Sequence, residues 1–173
     1  LDGTYVTQLR TGASSGAAFD LLGKKECKKG AMIGTGGQAA AQLEAMLAAR
    51  KLEEVKIFDL NEERCKAFAE EMQKGLAKYG AKIIPAKDSD DCIEDADLII
   101  TVTPSAKPVF DGTKVKAGAT ISCVGTYEPH KHELDPAVLP RASKIICDSK
   151  EAALSETGDL LIPIADGIIT EED

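Results

Sequence analysis

Short apolar runs alternate with helical segments along most of the chain, and no other feature of the sequence restricts the fold as strongly. From Lys29 onward, six runs of strand length are separated by segments with a helical pattern. Strands buried on both faces of a parallel sheet have continuous apolar runs of this kind, and the helices between them complete βαβ units. The predicted strands are residues 31–33, 55–58, 82–84, 98–102, 119–124 and 144–147.

Local signals mark the ends of the predicted helices. Asn61 is suited to cap a helix that carries two Glu residues in its first turn, and Gly80 is suited to close it. Asp88 begins a short helix in the same way, and an Ala- and Leu-rich helix is predicted over 38–51. Because parallel crossovers are right-handed, these elements predict an α/β fold with a doubly wound parallel sheet of six strands in the order 3-2-1-4-5-6.

A glycine-rich motif follows the first predicted strand. Residues 34–39, Gly-Thr-Gly-Gly-Gln-Ala, match the pattern G-x-G-x-x-A and open a predicted helix. Asp59 lies twenty residues after Ala39, at the end of the next predicted strand. A Gly-rich turn alone is common, but in this context the motif indicates a dinucleotide-binding fold of the Rossmann type. The alternative interpretation is a strand-to-helix turn with only a structural role.

Each residue type in the motif has a physical task. Gly34 is expected to form the tight turn, Gly36 to let the backbone approach a pyrophosphate, and Ala39 to let helix and strand pack closely. The free N–H groups of the helix N-terminus, near Gly37 and Gln38, are suited to bind the phosphates.

Asp59 indicates which dinucleotide the site prefers. An acid at this position accepts hydrogen bonds from the ribose hydroxyls and repels a 2′-phosphate. Leu60 and Asn61, which follow it, supply no positive charge to bind that phosphate. The sequence therefore predicts NAD(H) as the cofactor, although Asp59 by itself could also serve as a turn or cap residue.

The charge and hydropathy patterns exclude several classes of partner. The formal net charge is -8, and the lysines are scattered among acidic residues, so no stripe is available to neutralise phosphates. The apolar runs are far shorter than the roughly 18 residues that a membrane span needs. We therefore expect neither a nucleic acid nor a membrane as partner.

The cysteines and histidines do not suggest a disulfide framework or a metal site. The five cysteines are widely spaced and form no C-x-x-C motif, so we expect reduced, mostly buried thiols in a cytoplasmic protein. His130 and His132 lie two apart but lack further ligands, so no metal is predicted.

Both ends of the sequence suggest a piece of a longer protein. The chain starts without Met, and residues 4–9 have the β-branched and aromatic content of a strand. We expect residues 1–25 to lead from a missing substrate or dimerisation domain into a helix over 14–22. Residues 26–161 then form the NAD-binding domain, and residues 162–173 begin the return to the missing domain.

An ordered set of motifs runs along nearly the whole chain, at residues 10–15, 34–39, 101–104, 124–129 and 131–135, with 148–152 and 158–160. Together these motifs resemble the ornithine cyclodeaminase/mu-crystallin family. The resemblance implies a homodimer whose other domain holds a small amino-acid or cyclic imine substrate over the nicotinamide. It also implies that Arg10 binds the substrate carboxylate or lies beside the cofactor phosphate, as the two parallel hydrogen bonds of a guanidinium allow. The remaining cofactor contacts that it implies are Thr11, Gln38, Thr103, Val124, Gly125 and Lys131.

The sequence departs from the cyclodeaminase pattern at Tyr127. Cyclodeaminases and related alanine dehydrogenases carry a general acid/base Asp at the matching position, and a phenol is a poor base at neutral pH. Reduction of an imine is less affected, because the cofactor supplies the hydride. The leading hypothesis is an NAD(H)-dependent oxidoreductase of small amino acids or their imines, with Arg10 and Tyr127 as candidate catalytic residues. The alternatives are an ornithine cyclodeaminase and a ligand-binding protein of the mu-crystallin type.

Overall fold

Five parallel strands form the centre of the computed structural model, which describes residues 2–172. Their order is β3-β2-β1-β4-β5, and the middle strand pairs on both sides, with Met32 opposite Ile57 on β2 and Ile100 on β4. This parallel arrangement confirms the predicted α/β fold. The strands are β1 (Lys29–Ile33), β2 (Glu54–Phe58), β3 (Lys82–Pro85), β4 (Leu98–Thr101) and β5 (Thr120–Cys123).

Helices cover both faces of the sheet. Met32 belongs to a core cluster that includes residues of α1, α2 and α3, whereas Ala31 and Ile33 belong to a second cluster that includes residues of α4. Because successive side chains of a strand point to opposite faces, β1 is buried on both. The helices are α1 (Gly3–Leu22), α2 (Ala39–Ala49), α3 (Glu62–Gly75), α4 (Ser89–Ile93), α5 (Lys150–Glu156) and α6 (Gly158–Ala165).

The predicted helix caps are largely confirmed. The side chain of Asn61 accepts a hydrogen bond from Arg64 N at the start of α3, and Asp88 begins α4 in the same way. Gly80 has a left-handed conformation, with φ of 75°. It closes a 3-10 turn over Ala77–Tyr79, because α3 itself already ends at Gly75.

The prediction of a strand over residues 4–9 was wrong. These residues lie in α1, which begins at Gly3, well before the expected start at Ser14. The helix packs along α2, where a Cβ on Gly12 would lie 2.7 Å from the Ala41 carbonyl oxygen. Tertiary packing of this kind overrides the weak local preference of β-branched residues for strands.

The prediction of a sixth strand over residues 144–147 was also wrong. The sheet ends at β5, so its order is 3-2-1-4-5 and not 3-2-1-4-5-6. Ile145 packs against the second core cluster while Ile146 is 60% exposed, and the segment does not join the sheet. The run therefore contributes one partly buried side chain to the core, but a strand also needs a paired backbone.

The sequence argued against a membrane span, a metal site and a disulfide framework. Across residues 2–172, no helix is long and apolar enough to cross a membrane. In the same range, no group of three or more His, Cys, Asp or Glu side chains is arranged to hold a metal ion. The cysteines are free thiols, and three of the five, Cys27, Cys65 and Cys92, are buried.

Candidate cofactor site

The glycine-rich loop lies at the carboxyl end of β1. The strand order reverses between β1 and β4, and such a switch point is where doubly wound sheets bind ligands. Gly34 begins the loop with φ of 106°, and a Cβ there would lie 2.6 Å from the Val102 carbonyl oxygen. Only glycine meets both conditions, because other residues rarely adopt this backbone conformation and would collide with the segment that follows β4.

The next two glycines face open space. A Cβ on Gly36 or Gly37 would meet no atom within 4 Å, and both residues are exposed. Directly after them, Ala39 begins α2 and is completely buried, as expected for a residue that lets helix and strand approach. The loop thus presents a free backbone beside the first turn of a helix, which is the environment that an anionic phosphate requires.

Asp59 lies at the end of β2 and holds this loop in place. Its Oδ2 accepts hydrogen bonds from Thr35 N at 3.0 Å and Thr35 Oγ1 at 2.7 Å, while its Oδ1 accepts from Asn61 N at 2.9 Å. Arg64 completes the network with its Nη2, which lies 2.7 and 2.8 Å from the two carboxylate oxygens. The sequence predicted the position of Asp59 at the end of β2, but it did not indicate that Arg64, in the first turn of α3, would be its partner.

These contacts determine the charge of Asp59. Burial by itself would raise the pKa of this carboxyl, but hydrogen bonds from Thr35, Asn61 and Arg64 outweigh burial and lower it. Asp59 is therefore ionised over the whole physiological range, as an acceptor for ribose hydroxyls must be.

A second carboxylate organises the opposite edge of the site. Glu133 is completely buried, and it accepts hydrogen bonds from Thr103 N at 2.6 Å and Gly125 N at 2.7 Å. It thereby joins the segments that follow β4 and β5, which contain Thr103, Val124 and Gly125. A Cβ on Gly125 would lie 2.0 Å from the Thr103 carbonyl oxygen, so only glycine allows this close approach.

Glu133 is in turn supported from α6. Asp159 accepts hydrogen bonds from the backbone N–H groups of Glu133 and Leu134, at 2.7 and 2.8 Å. Burial raises the pKa of Glu133, and the nearby charge of Asp159 acts in the same direction. Sequence analysis did not assign Glu133 a role, since an acid within a charged loop resembles a solvated residue until its burial is known.

The amino-terminal part of α1 passes beside the glycine loop. Gln8 Nε2 donates a hydrogen bond to the Gly37 carbonyl oxygen at 2.8 Å, which brings this helix to the predicted phosphate position. Arg10 is exposed, and Thr11 Oγ1 donates to the carbonyl oxygen of Thr7 within the helix. Gln38 follows the loop, and its Oε1 is buried without a hydrogen-bond partner among the described residues.

The loop after β5 carries Tyr127 and Lys131. The Lys131 ammonium pairs with Glu128 and lies 5.6 Å from the centroid of the Tyr127 ring. The hydrogen bond between Lys131 and Glu128 lowers the pKa of the carboxyl and raises that of the ammonium. Tyr127 itself is 67% exposed, so its hydroxyl lies at the surface of the structure.

The parallel sheet, with a glycine-rich loop at its switch point, is typical of a doubly wound dinucleotide-binding protein of the Rossmann type. The chain belongs to the ornithine cyclodeaminase/mu-crystallin family, whose family model matches residues 1–172. It is 38% identical over its full length to a Delta(1)-pyrroline-2-carboxylate reductase of Bacillus cereus, of which it covers 52%. It is also 36% identical over its full length to an alanine dehydrogenase of Archaeoglobus fulgidus, of which it covers 51%.

A solved structure matches the fold closely. The Delta(1)-pyrroline-2-carboxylate reductase of Thermococcus litoralis, in complex with NADH and L-proline, superposes with a TM-score of 0.92 at 38% identity. The match covers 98% of this chain and 51% of that one. The chain thus spans about half the length of the relatives that it matches.

Proposed function

We propose that this chain is the cofactor-binding part of an NAD(H)-dependent oxidoreductase that acts on small amino acids or their imines. The observation that carries the proposal is the loop over 34–38, which leaves Gly36 and Gly37 open at the switch point of the sheet while Asp59 fixes its backbone at Thr35. The named relatives, two reductases of a cyclic imine and an alanine dehydrogenase, support the same class of reaction.

The residues present fit the cofactor. The free space at Gly36 and Gly37 suits a pyrophosphate, and Asp59 suits the adenosine ribose. The bound nicotinamide would supply the hydride. Thr103, Val124 and Gly125 would frame its ring, and Glu133 keeps two of these backbone segments at a constant separation. Arg10, exposed on the helix beside the loop, is available for a carboxylate or phosphate.

The groups around Tyr127 favour reduction of an imine over deamination. Deamination needs a base that activates water, and position 127 carries a phenol. The neighbouring Glu128 is paired with Lys131 and has a lowered pKa, which makes it a weaker base. Ornithine cyclodeaminase remains the second candidate because it belongs to the same family. Brisk ammonia release from ornithine by the whole enzyme would favour it over the reductase.

Calorimetric titration with NADH tests the proposal directly on this chain. Wild type is expected to bind, and Gly36→Val to abolish binding, since the side chain would fill the space of the pyrophosphate. Gly75→Val is the matched control, because a Cβ at this helix end also meets no atom within 4 Å and lies outside the site. Equal binding by Gly36→Val and wild type would contradict the assignment of the loop.

A further inference from the structure

The negative charge at the proposed ribose position is paired with a cation of the same chain. Arg64 donates to both oxygens of Asp59, and its Nε lies 3.1 Å from Thr35 Oγ1. The two partners differ in exposure: the Asp59 side chain is 5% exposed and the Arg64 side chain 58%. The guanidinium thus forms the outer surface of the site, and the carboxylate lies beneath it.

The carboxylate of Asp59 has no free acceptor position. Thr35 N, Thr35 Oγ1, Asn61 N and Arg64 Nη2 together make five hydrogen bonds to its two oxygens. An ionised carboxylate offers about four lone-pair positions. A ribose diol therefore binds Asp59 only if one of the present donors leaves.

Arg64 is the donor that can leave. Two of the other donors are the backbone N–H groups of Thr35 and Asn61, which cannot leave without a change of the backbone. The third is the short side chain of Thr35. Arginine has a long and flexible side chain, and that of Arg64 is largely in solvent. Its displacement leaves the loop contacts of Asp59 intact and keeps the guanidinium within reach of the ribose.

We propose that Arg64 is a specificity-determining residue, which exchanges Asp59 for the 2′-phosphate of the cofactor and so lets the site accept NADPH beside NADH. The inference rests on the proposed function. A guanidinium binds a phosphate through two parallel charge-assisted hydrogen bonds, and this contact offsets the repulsion between the phosphate and Asp59. NADH gains no such contact, because its hydroxyls must instead compete with Arg64 for the carboxylate.

The test compares the affinities of NADH and NADPH for variants of this chain by fluorescence titration. In Arg64→Gln, NADPH binding is expected to weaken about tenfold, the equivalent of one lost charge-assisted contact. NADH binding is expected to tighten or to change less than about threefold, since Asp59 gains a free position. Arg64→Lys, which keeps the charge but loses the fork geometry, should retain part of the NADPH affinity.

Lys66→Gln is the matched control. It removes the same charge from the same helix, but Lys66 pairs with Glu62 and does not contact Asp59. Both affinities should stay at wild-type values in this variant. Thermal unfolding of each variant will show that it is folded.

The outcomes separate the inference from the proposed function. If Arg64→Gln weakens NADH and NADPH by the same factor, or weakens neither, the arginine only supports the loop and the inference is wrong. If wild type binds neither nucleotide, the proposed function itself is wrong.

Discussion

The two edges of the site each depend on one carboxylate, but the two carboxylates are in opposite electrostatic environments. Asp59 accepts hydrogen bonds from backbone and side-chain donors that include a guanidinium, and its pKa is lowered. Glu133 accepts hydrogen bonds from the N–H groups of Thr103 and Gly125, lies near Asp159, and has a raised pKa. Both carboxylates fix loops at the ends of strands. Asp59 does so while paired with a cation, whereas Glu133 forms no ion pair with any residue of 2–172.

The difference has a consequence for function. The edge with Arg64 has an exposed and movable charge, which suits recognition of a polar ligand group. At the other edge the Glu133 side chain is completely buried and joins two backbone segments, which suits a rigid frame. We therefore expect changes at Asp59 to alter cofactor choice, and changes at Glu133 to alter stability.

The largest expected effect is the loss of stability in Glu133→Ala. The substitution removes the acceptor of two half-buried N–H groups, those of Thr103 and Gly125, at a cost of about 3 kcal/mol in the free energy of unfolding. Urea denaturation will measure the loss. Glu70→Ala, at an exposed position of α3, is the control and should change stability by less than about 0.5 kcal/mol. A similar small change in Glu133→Ala would show that the buried carboxylate does not hold the two segments together.

The second effect concerns cofactor choice at the other edge. Wild type is expected to bind NADH more tightly than NADPH, because Asp59 repels a 2′-phosphate. The double substitution Asp59→Ser with Leu60→Arg should shift this preference towards NADPH by about tenfold or more, since it removes the repulsion and adds a cation. Leu60 is 96% exposed, so the arginine disturbs no packing.

Leu21→Arg controls for the added charge. Leu21 is 81% exposed on α1, and the substitution should leave the ratio of the two affinities unchanged. Fluorescence titration with both nucleotides gives the ratio for each protein. Equal affinities in wild type would be incompatible with the role assigned to Asp59.

The smallest effect is a contrast in pH dependence. The folded pKa of Glu133 is raised from 4.5, so its contribution to stability is complete below the unfolded pKa and is lost as pH rises through the folded value. The folded pKa of Asp59 is lowered from 3.8, so its contribution is present above the unfolded pKa and is lost as pH falls through the folded value.

Replacing each carboxylate by its amide removes the titratable group and so reveals the opposite pH dependences of the two sites. The stability advantage of wild type over Glu133→Gln should shrink as pH rises above about 4.5, and the advantage over Asp59→Asn should shrink as pH falls below about 3.8. Urea denaturation at a series of pH values measures both differences. Slopes of the same sign would mean that the two carboxylates are in similar environments.

Sequence reasoning succeeded where one segment carries its own signal. The motif over 34–39 sets glycines at fixed offsets from a strand, so the turn at Gly34 and the burial of Ala39 follow from local chemistry. The caps at Asn61 and Asp88 were found for the same reason. It failed at residues 4–9, where a helix forms by packing on α2, and at 144–147, which pair with no strand within residues 2–172.

The amino-acid sequence by itself determined the parallel sheet, the loop at its switch point and the position of Asp59, because these depend on hydrophobic period and residue spacing. Only the tertiary structure decided which groups surround each carboxylate. Arg64 reaches Asp59 from the next helix, while Glu133 meets N–H groups that lie 30 and 8 residues away in the chain. Contacts between segments, and the burial that raises or lowers a pKa, depend on how the whole chain packs, so no local pattern encodes them.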